Sequence, residues 1–208
     1  IFNLLTFQSC KDTAMKKAIL AAAMVMAMGS TSAMAVEGGQ IEFHGLVSAT
    51  TCSKVVSSSR GNQATDGDVY LTTAAPGDIT EGVAANAYGA LPAPFSIILD
   101  CSGAADVTDA TKASLVMDSS FSNTTGTLDN DTTLSVAGET GAENVNIAIH
   151  DADTKTQVKI DGAEIHEASF KNKVATYNFM ASYVRADASK EVTTGHVTTN
   201  AMYTFTYQ

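Results

Sequence analysis

The chain of 208 residues contains no tryptophan, three prolines and three cysteines, and it carries 12 Lys and Arg against 22 Asp and Glu. Each scarcity removes a class of explanation. A net charge of −10 with scattered basic residues leaves no cationic surface able to neutralise phosphates, which excludes nucleic acid as a partner. So few prolines leave no proline-rich linker to divide the chain after Cys101. Long hydrophobic runs are also missing. The main one, Ala18 to Met28, is about half the roughly twenty residues that a bilayer-spanning helix needs.

What is present begins with the surroundings of that run. Lys16 and Lys17 precede it, and Ala33-Met34-Ala35 follows it. A positive end, an apolar stretch and an A-x-A site together read as a secretory signal over 15–35, with cleavage between Ala35 and Val36. Residues 1–14 lie upstream of Met15 and are expected to be translated upstream sequence outside the functional product. Cys10 goes with them, which leaves Cys52 and Cys101 in the exported segment. Two cysteines in an oxidising compartment read as one disulfide before they read as a redox or metal site, and no C-x-x-C is present. Closing that loop would stabilise the fold by about 4 kcal/mol in the chain-entropy view.

From Cys52 onward the pattern is one of short strands. Ser53 to Gly67 is Ser- and Gly-rich and reads as a loop, followed by a short strand near Asp68 to Thr72 and a turn-rich stretch from Thr73 to Ala90. Phe95 to Cys101 is an apolar run of strand length bounded by Pro92 and Pro94. Further strands are expected at 114–118, 132–136, 144–150 and 155–160, the last two forming a hairpin around Asp151-Ala152-Asp153-Thr154. Two segments alternate most cleanly. Lys173 to Arg185 puts Tyr177, Phe179, Ala181 and Tyr183 on one face, and Val197 to Tyr207 puts Ala201, Tyr203, Phe205 and Tyr207 on one face. Eight or nine short strands without an amphipathic helix describe an all-β sandwich in one domain.

Chemistry-bearing constellations are sparse. His44, His150, His166 and His196 stand apart, without metal-ligand spacing, and are expected to be exposed strand or loop residues. No nucleophile elbow, zinc-protease helix or phosphate loop occurs. Asp129 with Asp131 and Asp151 with Asp153 read as turn chemistry, and the sequons at Asn123 and Asn130 as surface loop. No catalytic residue, metal or cofactor is expected.

The remaining signal lies at the two ends. Gln40-Ile41-Glu42-Phe43-His44-Gly45-Leu46-Val47 alternates at period two immediately after the cleavage site, so an apolar strand stands there with no partner before it. With Gly38-Gly39 ahead of it, Cys52 soon after, Cys101 ending an apolar strand, Gly195 fourteenth from the end and Tyr207 penultimate, the chain resembles the major subunits of chaperone-usher fimbriae of the type 1-like kind. The likeness spans the exported segment, and its specific parts are the two ends and the cysteine pair.

The resemblance implies an incomplete immunoglobulin-like β-sandwich, completed by a donor strand from a neighbouring subunit. It divides the chain into a donor-strand extension at 36–51 and a pilin domain at 52–208. Gly39, Ile41, Phe43, Gly45 and Val47 would fill a neighbour's groove. Gly195, Tyr203, Phe205, Tyr207 and the Gln208 carboxylate would form the edge that receives chaperone and then donor. The implied partners are identical or related subunits, a periplasmic chaperone and an outer-membrane usher, with export through the periplasm to a cell-surface fimbria that supports adhesion. One domain with its extension kept corresponds to a chain-propagating shaft subunit. Two other classes remain open on the residues alone. A secreted monomeric sandwich that binds carbohydrate would show a ligand pocket, and an exported enzyme would need a constellation that the sequence does not offer.

Overall fold

A computed structural model describes residues 52–61, 63–134 and 138–207. Among these residues nine strands follow one another: β1 (Ser53–Ser58), β2 (Ala90–Asp100), β3 (Lys112–Asp118), β4 (Leu128–Asp129), β5 (Val145–Asp151), β6 (Gln157–Val158), β7 (Ile165–Ser169), β8 (Val174–Arg185) and β9 (Met202–Tyr207). The helical content among the described residues is a single 3-10 turn at Pro76–Asp78. Six strands form one sheet in the order β1-β2-β8-β5-β4, with β6 also on β5, and three form the other in the order β7-β3-β9. Every pairing between these strands is antiparallel. The chain is an all-β, immunoglobulin-like sandwich.

The alternation in the sequence becomes the core directly. Phe95, Ile97 and Leu99 of β2, Tyr177, Phe179 and Ala181 of β8, Ile147 and Ile149 of β5, and Ala113, Leu115 and Met117 of β3 all point between the sheets and are buried. Each large aliphatic or aromatic side chain removed from water contributes on the order of 1.5–3 kcal/mol. Tyr177 spans the layer: its hydroxyl donates to the Ala113 carbonyl of the facing sheet at 2.6 Å. Burial pushes the pKa of this phenol up, so the group stays a donor. Cys52 and Cys101 are bonded, S–S 2.01 Å, and tie the start of β1 to the end of β2 where Ser53 faces Asp100.

Several elements differ from the sequence reading. Ser53–Ser58 is a strand and not part of a loop, because Val56 is buried and the Ser and Lys residues around it occupy the edge of the sheet. No ladder forms at 68–72, yet the face alternation holds, with Val69 and Leu71 packed on the core and Asp68, Tyr70 and Thr72 outward. The strand expected at 132–136 is replaced by β4, since Thr132 and Thr133 sit in a turn closed by the Asp131 carboxylate; residues 135–137 lie outside the described set. β2 runs through both prolines. Its 90–94 stretch extends past the end of β1 at Ser58, has Leu91 at φ 48°, and shifts register between Ala90 and Ala93, and such an irregular, one-sided stretch tolerates residues without an N–H.

His150 is a correction of a different kind, being fully buried. The turn-rich segment before β2 lies over the outer face of β5 in the six-stranded sheet. The His150 ring Nε2 lies 2.8 Å from the Ala84 carbonyl, Tyr88 stands edge-on to the imidazole at 5.8 Å, and the Tyr88 hydroxyl donates to the Ala152 carbonyl at 2.8 Å. Gly89 N–H donates to Ser182 Oγ on the same face. β5 is therefore buried on both sides, Asn146, Ala148 and His150 included. His166 and His196 are half-buried, and His44 lies outside the described residues.

Candidate functional site

The candidate site is the edge of the smaller sheet. β9 pairs with β3 along one side, Tyr207 opposite Ala113, Phe205 opposite Leu115 and Tyr203 opposite Met117. Among the described residues it is the last strand of that sheet. Its inward positions are aromatic. Phe205 is buried, with Tyr177 at 5.7 Å and Tyr203 at 5.6 Å between ring centroids, while Tyr203 and Tyr207 are half-buried against the same cluster. The outward positions Met202, Thr204 and Thr206 are exposed.

Across from β9 stands the far edge of the other sheet. β1 holds β2 on one side and a bridge to Ala64 on the other, with Val56 N–H donating to Ala64 O at 2.8 Å. From there the chain continues through Gly67, Val69 and Leu71, with Val69 and Leu71 packed on the core. Gly67 lies so close on β1 that a Cβ there would stand 2.6 Å from that of Val56, which makes glycine a requirement of this approach. β9 and this apolar-faced segment thus lie on one side of the sandwich, and among the described residues no strand joins them. An edge strand over a hydrophobic core, opposite a segment with inward apolar side chains, is a geometry that a further strand could join.

Gly195 sits apart from that edge, seven residues ahead of β9. Its φ is +151°, and a Cβ would come within 2.4 Å of Ala142 N and 2.5 Å of Thr140 O, so the residue is small because backbone passes over backbone. Around it His196 bridges Gly141 in parallel, and the Asn130 side chain donates to Ala142 O and His196 O while accepting from Thr198 N–H. Asn130 is the residue the sequence reading missed, since a sequon in a Thr-rich stretch conceals an asparagine whose amide is fully used. Asn123 is likewise engaged, with Thr127 and Asp129. A cavity of about 360 Å³ opens beside Gly195, bordered by Leu71, Ile79, Val145, Tyr183 and Val197.

Gly39, Ile41, Phe43, Gly45 and Val47, the junction of Ala35 with Val36, and Gln208 lie outside the described residues. Among the described residues no three His, Cys, Asp or Glu side chains gather as a metal site, and no helix is long and apolar enough to cross a membrane.

The class that the fold and this edge define is an all-β sandwich with an aromatic-lined edge strand. A family model for fimbrial proteins matches residues 41–208, and the chain belongs to that family. Among solved structures, a chaperone-usher pilus described for rod uncoiling is similar at TM-score 0.51 and 20% identity, over 82% of this chain and 96% of that one. The P pilus rod subunit PapA is similar at TM-score 0.49 and 18% identity, over 76% of this chain and 99% of that one. The CupB6 tip adhesin from Pseudomonas aeruginosa gives TM-score 0.42 and 20% identity over 55% of this chain, which spans 30% of that adhesin. No curated protein matches the sequence. The chain is a pilus subunit by family.

Proposed function

We propose that the protein is a shaft subunit of a surface fimbria that polymerises by donor-strand exchange, after a periplasmic chaperone delivers it to an outer-membrane usher, and that the fibre supports adhesion. One observation carries this reading: β9 and the 67–71 segment flank the core with inward apolar residues and no described strand between them. The alternating residues Ile41, Phe43, Gly45 and Val47 supply a strand of matching period from another copy. Main-chain hydrogen bonds to the β9 edge provide affinity, and side chains at every second position reach the core beside Tyr203, Phe205 and Tyr207. On this reading 36–51 is the extension, 52–208 the accepting domain, and the C-terminal Gln208 carboxylate the chaperone anchor.

Removal of residues 36–47 is expected to abolish fibres while the remaining domain still binds chaperone, as measured by electron microscopy and co-purification. Phe43→Asp should act in the same direction, because a buried, unpaired carboxylate costs several kcal/mol. Fibres formed by the truncated chain would contradict the proposal.

A further inference from the structure

A hydrogen bond spans the two sides of this gap. The Tyr203 hydroxyl, on β9, donates to the Thr65 carbonyl at 2.6 Å, and Thr65 in turn holds the Lys54 carbonyl of β1 through its own hydroxyl at 3.2 Å. The Lys54 ammonium stands 6.0 Å from the centre of the Tyr203 ring, within cation–π range. One tyrosine therefore connects the last strand of one sheet, the first strand of the other and the segment that leaves it. Tyr203 is half-buried, and burial followed by the charge of Asp66 raises its pKa, which keeps its proton available to Thr65. The 61–68 segment also holds to β1, through Val56 with Ala64 and through Ser58 Oγ, which donates to the Asp68 carbonyl. The bond from Tyr203 to Thr65 links that segment to β9.

We infer that Tyr203 is a clasp: in the subunit without an added strand it holds the 63–71 segment to β9, and an incoming strand seats only as the Tyr203–Thr65 bond opens. The inference rests on the strand-accepting reading above and adds to it a residue that sets the rate of acceptance. Tyr203→Phe keeps the ring, its packing on Phe205 and its place under Lys54, and removes only the donor. A neutral hydrogen bond of this kind corresponds to about a three- to tenfold change in an opening equilibrium.

The test uses the full chain, refolded alone, as wild type and as Tyr203→Phe, with a fluorescent peptide of residues 36–49 as the probe. Peptide uptake is followed by anisotropy, and amide hydrogen exchange is followed along the chain. The clasp predicts uptake about three- to tenfold faster in Tyr203→Phe, with faster exchange at 63–71 and unchanged exchange in β2, β5 and β8. Lys54→Gln should shift both readouts in the same direction by less. Equal uptake rates, or faster exchange throughout the domain, would overturn the clasp while leaving strand acceptance standing. Absence of uptake in both chains, with folding intact, would overturn strand acceptance and the clasp together.

Discussion

At the scale of single residues, small and polar side chains fix where the chain can pass. Gly195 is one instance, since the atoms a methyl would meet are backbone and cannot rotate away. Gly195→Ala is expected to destabilise the domain by about 2 kcal/mol or more through overpacking and an unfavourable φ, as read by denaturant unfolding. The aspartates at turns act through hydrogen bonds. Asp100 is held below the usual carboxylate range by the Ser102 hydroxyl and N–H, Asp131 by those of Thr133, and Asp187 by those of Ser189, while Asp161 accepts from Ala163 and Glu164 N–H. At Asp151 partial burial works the other way, and bonds from Thr154 and Asp153 outweigh it. A pKa depressed in the folded state stabilises above the unfolded value and stops doing so as pH falls through the folded one. Thermal stability should therefore hold down to about pH 4 and decline below it, a course that melting curves from pH 6 to pH 2 would show.

At the scale of elements, the strands with clean alternation were legible. β8 and β9 follow from period-two patterns because their faces differ in polarity and burial follows polarity, and the same pattern located β5 although both of its faces are buried. β1 and β7 were not read. Ser-Lys-Val-Val-Ser-Ser and Ile-His-Glu-Ala-Ser are polar edge strands whose pairing depends on neighbours distant in sequence, Phe95–Asp100 for β1 and Lys112–Val116 for β7. The two-sided burial of β5 was equally hidden, because the covering segment is a turn-rich stretch with no periodicity of its own. His150 marks that cover. His150→Leu should lose the link to Ala84 and free the 79–90 segment, with a cost of about 1–3 kcal/mol and faster amide exchange confined to that segment. Exchange unchanged there would show that the cover is held by other contacts.

At the scale of the whole molecule, β9 and the 67–71 segment lie on one side of the sandwich with no strand between them among the described residues. Half of the candidate site was legible in sequence, namely the inward aromatic row Tyr203, Phe205 and Tyr207. The other half, the segment behind β1 with Gly67, Val69 and Leu71, has the composition of a loop and gains its role from lying across from β9. The measurement that bears most directly on strand exchange mixes two full chains before assembly, one carrying His44→Cys and the other carrying Thr204→Cys or, in a parallel mixture, Thr206→Cys. Both β9 positions face outward, as His44 does in the alternation of its own segment. Donor-strand exchange predicts fibres in which one of the two mixtures yields disulfide-linked pairs containing one chain of each kind. Fibres that form without a mixed cross-link in either mixture would contradict it.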